Sequence, residues 1–232
     1  MSHSRLFQLA VDSRDGTRAL SFTAKRLVCC GWVGKDRAAL QAHIDELAHL
    51  GVPPPTRVPI YMNLSTYLIA TDEEVEVVSS TTSGEIEYVL LCHGRDVWVT
   101  VGSDQTDREM ETKSIVASKQ MCGKYIATRC WPYSEVSAHW DELVLQCSVT
   151  KDGQTNVYQE SALAAILNPE ELLRNVSQSV PDATDGLVMF SGTIATKTGL
   201  IFGDAYDLTL RDPVLDRTIH AGYRVSILAQ HV

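Results

Sequence analysis

The feature that most constrains this sequence is a pair of apolar strands with acidic residues at their adjoining ends. Residues 84–111 read GEIEYVLLCHGRDVWVTVGSDQTDREME. Glu85 and Glu87 are two positions apart, so on a strand both carboxylates point to the same face. A turn at residues 93–96, followed by a second apolar strand at 97–101, predicts a hairpin that returns Asp104 to the two glutamates.

Three converging carboxylates repel one another unless a cation lies between them. Ligands that are all oxygen suit a hard divalent ion, so Mg²⁺ or Mn²⁺ is expected at Glu85, Glu87 and Asp104, with Ca²⁺ as a further candidate. Zn²⁺ fits less well, because it favours His or Cys among its ligands. The alternative is that Glu85 and Glu87 line the solvated face of an edge strand.

Composition limits the class of protein. A chain of 232 residues with 44% hydrophobic content can bury a substantial core, and we interpret it as one domain. The formal net charge of −9 and the pI near 5.2 argue against binding to nucleic acid or to an anionic membrane, both of which need clustered Lys and Arg.

The cysteine spacing and the N-terminus predict a location. The six cysteines form no C-x-x-C pair, and a domain of this size needs no disulfides, so we expect reduced, mostly buried thiols. They are Cys29, Cys30, Cys92, Cys122, Cys130 and Cys147. The N-terminus lacks a long apolar segment, and no stretch approaches about 18 apolar residues. A cytoplasmic protein without a membrane span is expected.

Residues 36–50 have the apolar spacing of a helix, with Asp36 as N-cap and Gly51 as the C-terminal stop. His43 and Glu46 are three positions apart and therefore share a helix face. Glu46 could orient the imidazole of His43 and raise its basicity, which would make a general-base pair. The alternative is an ordinary exposed polar pair.

The remaining pattern predicts a framework of strands and short helices. Strands are expected at 6–11, 19–23, 140–149, 156–158, 187–190 and 206–210, and a helix at 169–176 with Asn168 as its N-cap. The turn at Gly192 and Thr193 follows an apolar strand and offers an N–H group and a hydroxyl. Such a turn suits a substrate oxygen, or it is a plain turn.

Several motifs resemble, in the same order, those of the fumarylacetoacetate hydrolase superfamily. They extend from about residue 30 to residue 225 and comprise CGWVGK at 30–35, H-x-x-E-L at 43–47, E-x-E at 85–87, SDQTDRE at 103–109, Asp152-Gly153 with Gln159, Ser191-Gly192-Thr193 and Gly203-Asp204. Ser103 and Ile194 replace the usual Asn and Pro, and the interval between Glu87 and Asp104 is short. The chain therefore resembles a divergent branch, whose substrate need not be that of the best-known members.

The resemblance implies a mixed α+β, mainly β fold, namely the β-sandwich roll of the fumarylacetoacetase C-terminal domain with a few short helices. It implies one catalytic domain over residues 1–232, with N-terminal strands in 1–30, a lid helix region in 31–55 and a β-rich core in 56–232. A homodimer is also implied.

The resemblance assigns site residues as well. Glu85, Glu87 and Asp104 correspond to metal ligands, and a lysine close to the metal is implied. Either Lys119 or Lys124 could be that lysine, and Lys119 is favoured because it follows a small residue. Arg108 is expected to brace Asp104 or an outer carboxylate. The expected substrate-binding set is Thr193, Gly192, Arg108 and Lys124.

The function implied is divalent-metal-dependent hydrolysis of a carbon–carbon bond in a small 2-oxo acid or 1,3-dicarbonyl (acylpyruvate-like) substrate. The metal would hold the enolate that forms, Lys119 would stabilise its charge, and His43 with Glu46 would activate water. Decarboxylation or isomerisation of an oxaloacetate-like acid is an alternative on the same site. A second alternative is a metal-stabilised binding module without catalysis.

Overall fold

Two β-sheets organise the chain. The structure is a computed structural model in which residues 4–49, 54–179 and 184–230 are described. The described strands are β1 (Arg5–Ser13), β2 (Gly16–Ala24), β3 (Arg26–Gly31), β4 (Ile60–Leu64), β5 (Ile69–Ala70), β6 (Glu74–Val77), β7 (Thr82–Ser83), β8 (Ile86–His93), β9 (Asp96–Asp104), β10 (Thr106–Asp107), β11 (Lys124–Ile126), β12 (Arg129–Pro132), β13 (Val144–Lys151), β14 (Gln154–Ala162), β15 (Leu187–Phe190), β16 (Ala205–Asp212) and β17 (Arg217–Ile227).

The helices of the described residues are short. They are α1 (Arg37–His49), α2 (Arg108–Glu111), α3 (Ile115–Gln120), α4 (Tyr133–Val136) and α5 (Pro169–Ser179), with 3-10 turns at Thr66–Leu68, Ser137–Glu142 and Leu163–Ala165. None of these helices has the length and apolar character needed to cross a membrane.

The larger sheet has ten strands and runs β2-β1-β12-β9-β8-β15-β3-β4, with β11 paired to both β9 and β5. The smaller runs β14-β13-β16-β17-β6, and β7 pairs with β10 separately. Most neighbours are antiparallel, while β1 with β12, β3 with β15, β5 with β11 and β6 with β17 are parallel. This mixed, mainly β architecture agrees with the predicted fold class.

Both faces of strand β8 of the ten-stranded sheet are buried, which explains why this strand is apolar along nearly its whole length. Alternate residues of β8, including Tyr88 and Leu90, pack against the five-stranded sheet through residues such as Leu145 and Leu208. The other face forms a second apolar cluster with β1 and β2 of the same sheet, because that sheet curls over itself. Strands β8 and β9 thus lie between two apolar cores.

Several local predictions are confirmed. The β8–β9 hairpin turns at Gly94, whose φ of +60° is easily adopted by glycine. Asp36 accepts hydrogen bonds from the N–H groups of Ala38 and Ala39, as an N-cap does, and Asn168 caps α5 through the N–H of Glu171.

One strand prediction was wrong at its start. Residues 140–142 belong to a 3-10 turn, and the strand begins only at Val144. Trp140 is buried against the rings of Tyr88 and Tyr133, so tertiary packing overrides the local strand pattern. The predicted stop at Gly51 lies outside the described residues. The one-domain organisation, with its segments 1–30, 31–55 and 56–232, stays a prediction.

Candidate metal centre

The β8–β9 hairpin brings the three predicted carboxylates together. Ile86 pairs with Ser103 across the hairpin, and the N–H of Asp104 donates to the carbonyl oxygen of Glu85 at 2.9 Å. One oxygen from each of Glu85, Glu87 and Asp104 lies within 4.8 Å of the others. We call these three residues the acidic triad.

The triad is buried, but its three residues differ in the fraction of surface that stays exposed to solvent. Glu87 is 1% exposed and Asp104 is 0% exposed, while the side chain of Glu85 retains 16%. Glu87 is on the same face of β8 as Val89 and Leu91, which belong to the apolar cluster enclosed by the curled sheet. Charged groups in such a setting must be neutralised by ions or hydrogen bonds.

Two cations contact Glu85 from short helices that follow β10. Asp107 caps α2 through the N–H of Met110, and this turn directs Arg108 Nη2 to Glu85 Oε1 at 2.9 Å. Arg108 also donates to Ser83 Oγ at 2.7 Å and to Glu111 Oε2 at 2.9 Å. Arg108 therefore braces Glu85, whereas the sequence led us to expect Asp104 or an outer carboxylate.

Lys119 lies on α3 and bridges two members of the triad. Its ammonium donates to Glu85 Oε2 and to Thr106 Oγ1, the latter at 2.9 Å, and lies 3.0 Å from Asp104 Oδ2. The helix that carries it starts at an N-cap, Ser114, whose hydroxyl accepts from the backbone of Ala117.

These contacts move the pKa values of the site in different directions. Burial alone would raise the pKa of Glu85, but Lys119 and Arg108 outweigh it and lower this pKa to about 2. For Lys119, burial acts to lower the pKa, but the carboxylates of Asp104 and Glu85 outweigh it and hold the pKa above its usual value. Burial and then the charge of Asp104 raise the pKa of Glu87 well above its usual range.

Lys124, the other candidate lysine, is fully buried and fully engaged. Its ammonium donates to the carbonyl oxygens of Gln105 and Cys122 at 2.8 and 2.9 Å and lies 2.9 Å from Asp104 Oδ1. An ammonium has three protons, so these neighbours account for all of them. The two lysines therefore contact Asp104 in different ways. Lys119 contacts both Asp104 and Glu85, whereas Lys124 contacts Asp104 and two backbone carbonyl groups.

The chemistry of the triad fits a hard divalent cation. Asp104 is fully buried, and its carboxylate is approached by the ammonium groups of Lys119 at 3.0 Å and Lys124 at 2.9 Å, while no backbone N–H group of the described residues donates to it. Three carboxylates that each offer one oxygen within 4.8 Å of the others match the all-oxygen ligands of Mg²⁺ or Mn²⁺.

The predicted Gly-Thr turn contacts the strand that carries the glutamates. The N–H of Gly192 donates to Glu87 Oε2 at 2.6 Å, and Thr193 Oγ1 donates to the carbonyl oxygen of Ile86 at 2.8 Å. The sequence analysis gave no role to Gln159 beyond the motif. Gln159 accepts from the N–H of Ile86 at 3.1 Å and donates to Thr193 Oγ1 at 2.8 Å. These hydrogen bonds join the Gly-Thr turn to the strand that follows Glu85, and the substrate-binding role of Thr193, Gly192, Arg108 and Lys124 stays a prediction.

His43 and Glu46 are both positions of α1, whose backbone is described. Their side chains lie outside the described part of the structure. Only the position of the two residues on this helix is therefore described, and their pairing stays a prediction.

Two cavities of the described residues lie away from the triad carboxylates. One of about 500 Å³ is lined by residues of β16 and β17 together with Tyr125 and Arg129. The other, of about 390 Å³, lies between residues 54–57, the start of β4 and the start of α3. Ile115 in its wall is four residues before Lys119 and so shares a helix face with it.

Comparison with solved structures identifies the fold. A protein from Yersinia pestis CO92 assigned to the fumarylacetoacetate hydrolase family superposes with a TM-score of 0.64 at 16% identity, covering 95% of this chain and 100% of that one. A 5-carboxymethyl-2-hydroxymuconate delta-isomerase from Mycobacterium smegmatis gives 0.62 at 14% identity, covering 95% and 99%. The predicted fold, that of the fumarylacetoacetate hydrolase superfamily, is confirmed.

A third similar structure was solved with a metal. It is 2-keto-3-deoxy-D-arabinonate dehydratase complexed with magnesium and 2,5-dioxopentanoate, with a TM-score of 0.56 at 14% identity, covering 90% of this chain and 77% of that one. No curated protein has a sequence that matches this chain.

The class of protein is therefore a divergent chain with the fumarylacetoacetate hydrolase fold and an acidic triad able to bind a divalent metal. Within that class, the family profile described as "Protein of unknown function (DUF2848)" matches residues 30–223, and the chain belongs to this family.

Proposed function

We propose that this protein is a divalent-metal-dependent enzyme that hydrolyses a carbon–carbon bond in a 2-oxo acid or 1,3-dicarbonyl substrate of acylpyruvate type. The observation that carries the proposal is the buried acidic triad, in which one oxygen from each of Glu85, Glu87 and Asp104 lies within 4.8 Å of the others and the ammonium of Lys119 lies 3.0 Å from Asp104.

Glu85, Glu87 and Asp104 would hold the metal, with Mg²⁺ or Mn²⁺ as the expected ion and Ca²⁺ as a further candidate. When bound, the ion supplies a Lewis acid that polarises a substrate carbonyl. Arg108 and the N–H of Gly192 keep the carboxylates of Glu85 and Glu87 in place.

Lys119 acts as a cation in this proposal and not as a base. Its pKa is held above the usual value by Asp104 and Glu85, so it keeps its proton at neutral pH. A fixed ammonium beside the reacting atoms stabilises negative charge that develops on an enolate oxygen. Lys124 has a structural role, because its protons are directed to two backbone carbonyls and to Asp104.

His43, oriented by Glu46, would take a proton from the attacking water. The water oxygen adds to the acyl carbonyl carbon, and the bond between this carbon and the adjacent CH₂ breaks. Its electron pair passes into the 2-oxo acid fragment as an enolate, whose carbon then takes a proton. The products are a carboxylic acid and a shorter 2-oxo acid. Closure of the helix that carries His43 would exclude bulk water.

Decarboxylation or isomerisation of an oxaloacetate-like acid is the second candidate. The isomerisation is supported by the similar structure that is named as an isomerase, and the one named as a dehydratase shows that the fold also occurs in enzymes that are not named as hydrolases. These reactions share the enolate with the hydrolysis and need the attacking water less.

The test uses Mn²⁺ titration and turnover on a panel of acylpyruvates and oxaloacetate. Glu85→Ala is expected to lose Mn²⁺ binding, and His43→Ala to keep Mn²⁺ while losing hydrolysis. Retained decarboxylation in His43→Ala would favour the second candidate. Wild-type protein that binds Mn²⁺ but turns over no substrate, with both variants unchanged in every assay, would contradict catalysis and favour a non-catalytic module.

The assembly and location also belong to this proposal. A homodimer follows from the resemblance to the superfamily, and light scattering of the purified protein tests it. A cytoplasmic location is proposed from the cysteine usage, since the six cysteines are free and buried, and cell fractionation tests it.

A further inference from the structure

The hydroxyl of Tyr223 contacts the residues on both sides of Asp104. It donates to Gln105 Oε1 at 2.7 Å and lies 2.8 Å from Ser103 Oγ. Because the phenolic proton goes to Gln105, the Ser103 hydroxyl is the donor to the tyrosine oxygen. Ser103 and Gln105 are fully buried, so water does not substitute for these bonds.

The same hydroxyl lies against the residue before Glu85. A Cβ atom added at Gly84 would lie 2.6 Å from the hydroxyl oxygen of Tyr223 and 2.8 Å from Ser103 Oγ. These distances are too short for a side chain at this position. The backbone at Gly84, just before Glu85, therefore lies in direct contact with the hydroxyl. Tyr223 therefore contacts the chain neighbours of both Glu85 and Asp104.

The position of the hydroxyl is fixed by the packing of its ring. Tyr223 is 3% exposed and lies on β17 of the five-stranded sheet. Its ring packs between those of Tyr125 and Tyr206, with centroids 5.0 and 5.4 Å away. A ring held on both sides cannot move its hydroxyl without repacking the stack.

We propose that Tyr223 is a positioning residue for the metal centre, whose hydroxyl holds the side chains on both sides of Asp104 and fixes the path of the chain at Gly84, just before Glu85. This inference rests on the proposed function, because it assumes that the triad binds a metal. The five-stranded sheet thereby supplies an outer partner of the centre although it carries none of the three ligands.

Tyr223→Phe tests the proposal, because it removes one oxygen atom and keeps the ring. We expect Mn²⁺ affinity to fall about tenfold, the lower end of the range for loss of an outer partner, because the hydroxyl acts through the neighbours of Asp104 and not on a ligand itself. We also expect a broader electron paramagnetic resonance spectrum of bound Mn²⁺, since the ligand positions are less uniform. Isothermal titration with Mn²⁺ alone measures the affinity.

Tyr125→Phe is the matched control. It removes a hydroxyl from the neighbouring ring of the same stack, where that hydroxyl contacts the backbone of Gly222 and not the residues beside the triad. Mn²⁺ affinity and spectrum should match the wild type. Equal losses in the two variants would show that stack stability alone matters and would overturn the proposal.

Gly84→Ala provides a second route to the same question, since its methyl group must displace the Tyr223 hydroxyl. A loss of Mn²⁺ affinity of about tenfold or more is expected, with near-ultraviolet circular dichroism confirming a folded protein. If wild-type protein binds no Mn²⁺, the proposed function fails. If it does bind, and both Tyr223→Phe and Gly84→Ala retain its affinity, only the role of Tyr223 fails.

Discussion

Two buried aspartates of this protein are surrounded in different ways. The carboxylate of Asp212 accepts hydrogen bonds from two backbone N–H groups that follow it, each at 3.1 Å, and contacts the imidazole of His139 at 3.0 Å and the guanidinium of Arg217 at 3.3 Å. Asp104 is equally buried, yet its oxygens have no such donors among the described residues, and only the ammonium groups of two lysines approach them.

The difference separates a structural carboxylate from one that is available to a ligand. At Asp212 the protein itself satisfies the charge, and the same guanidinium also pairs with Glu135 and packs on the ring of Trp131. At Asp104 the negative charge is balanced by two lysine side chains and not by backbone N–H groups, and two further carboxylates lie beside it. Three neighbouring carboxylates are ligands of the kind that a hard cation prefers.

The largest effect is expected for Glu87→Gln. Loss of an outer partner of a metal ligand lowers affinity by up to about a hundredfold. Loss of one of the three ligand charges should lower Mn²⁺ affinity by more than that. Metal-free stability should be kept or increased, because the repulsion between Glu87 and Asp104 is relieved. Titration calorimetry, and thermal unfolding in the presence of EDTA, measure the two quantities. Unchanged Mn²⁺ affinity would show that Glu87 is not a ligand.

The second effect distinguishes the two lysines. In excess Mn²⁺, Lys119→Met should lower turnover by about 10²- to 10³-fold, as loss of a group that stabilises transition-state charge does, while the protein stays folded. Lys124→Met should instead destabilise the protein by about 3 kcal/mol or more, because Asp104 loses a fully buried partner. Single-turnover rates and urea unfolding give the comparison. The opposite assignment would make Lys124 the active-site lysine.

A third effect is confined to the structural aspartate. Asp212→Asn should reduce the free energy of unfolding by about 2 kcal/mol, since the bonds from His139 and Arg217 lose their charged acceptor. Mn²⁺ affinity should equal that of the wild type. Urea unfolding and Mn²⁺ titration of the same preparation check both statements, and a joint loss would mean that the two regions are coupled.

Much of the triad could be predicted from sequence because its signals are local. The spacing of Glu85 and Glu87 fixes their common face, and a short hairpin returns Asp104 beside them. The partners that surround it carry no such signal. Tyr223 is 118 residues from Gln105, and Gln159 is 73 residues from Ile86. Pairings at such separations depend on how two sheets pack, which no spacing within one strand records.

Local pattern failed where packing competes with it. The sequence analysis extended the strand back to Trp140, but residues 140–142 belong to a 3-10 turn, in which the ring of Trp140 packs against those of Tyr88 and Tyr133. The buried pair of His139 and Asp212 likewise had no sequence signal, because 73 residues separate its members.

The smallest effect is the pH dependence that Asp212 adds to stability. Burial acts to raise its pKa, but the N–H of Leu215 and the imidazole of His139 outweigh it and keep the pKa below the usual value. A carboxyl group whose pKa is lowered by folding stabilises the folded state above its unfolded pKa of about 3.9, and this stabilisation is lost as the pH falls through the lower, folded value. The difference in unfolding free energy between wild type and Asp212→Asn should therefore shrink as the pH falls below about 4. Urea unfolding between about pH 5 and about pH 3 measures it, and a difference that grows as the pH falls through this range would contradict the assignment of Asp212 as an ionised structural carboxylate.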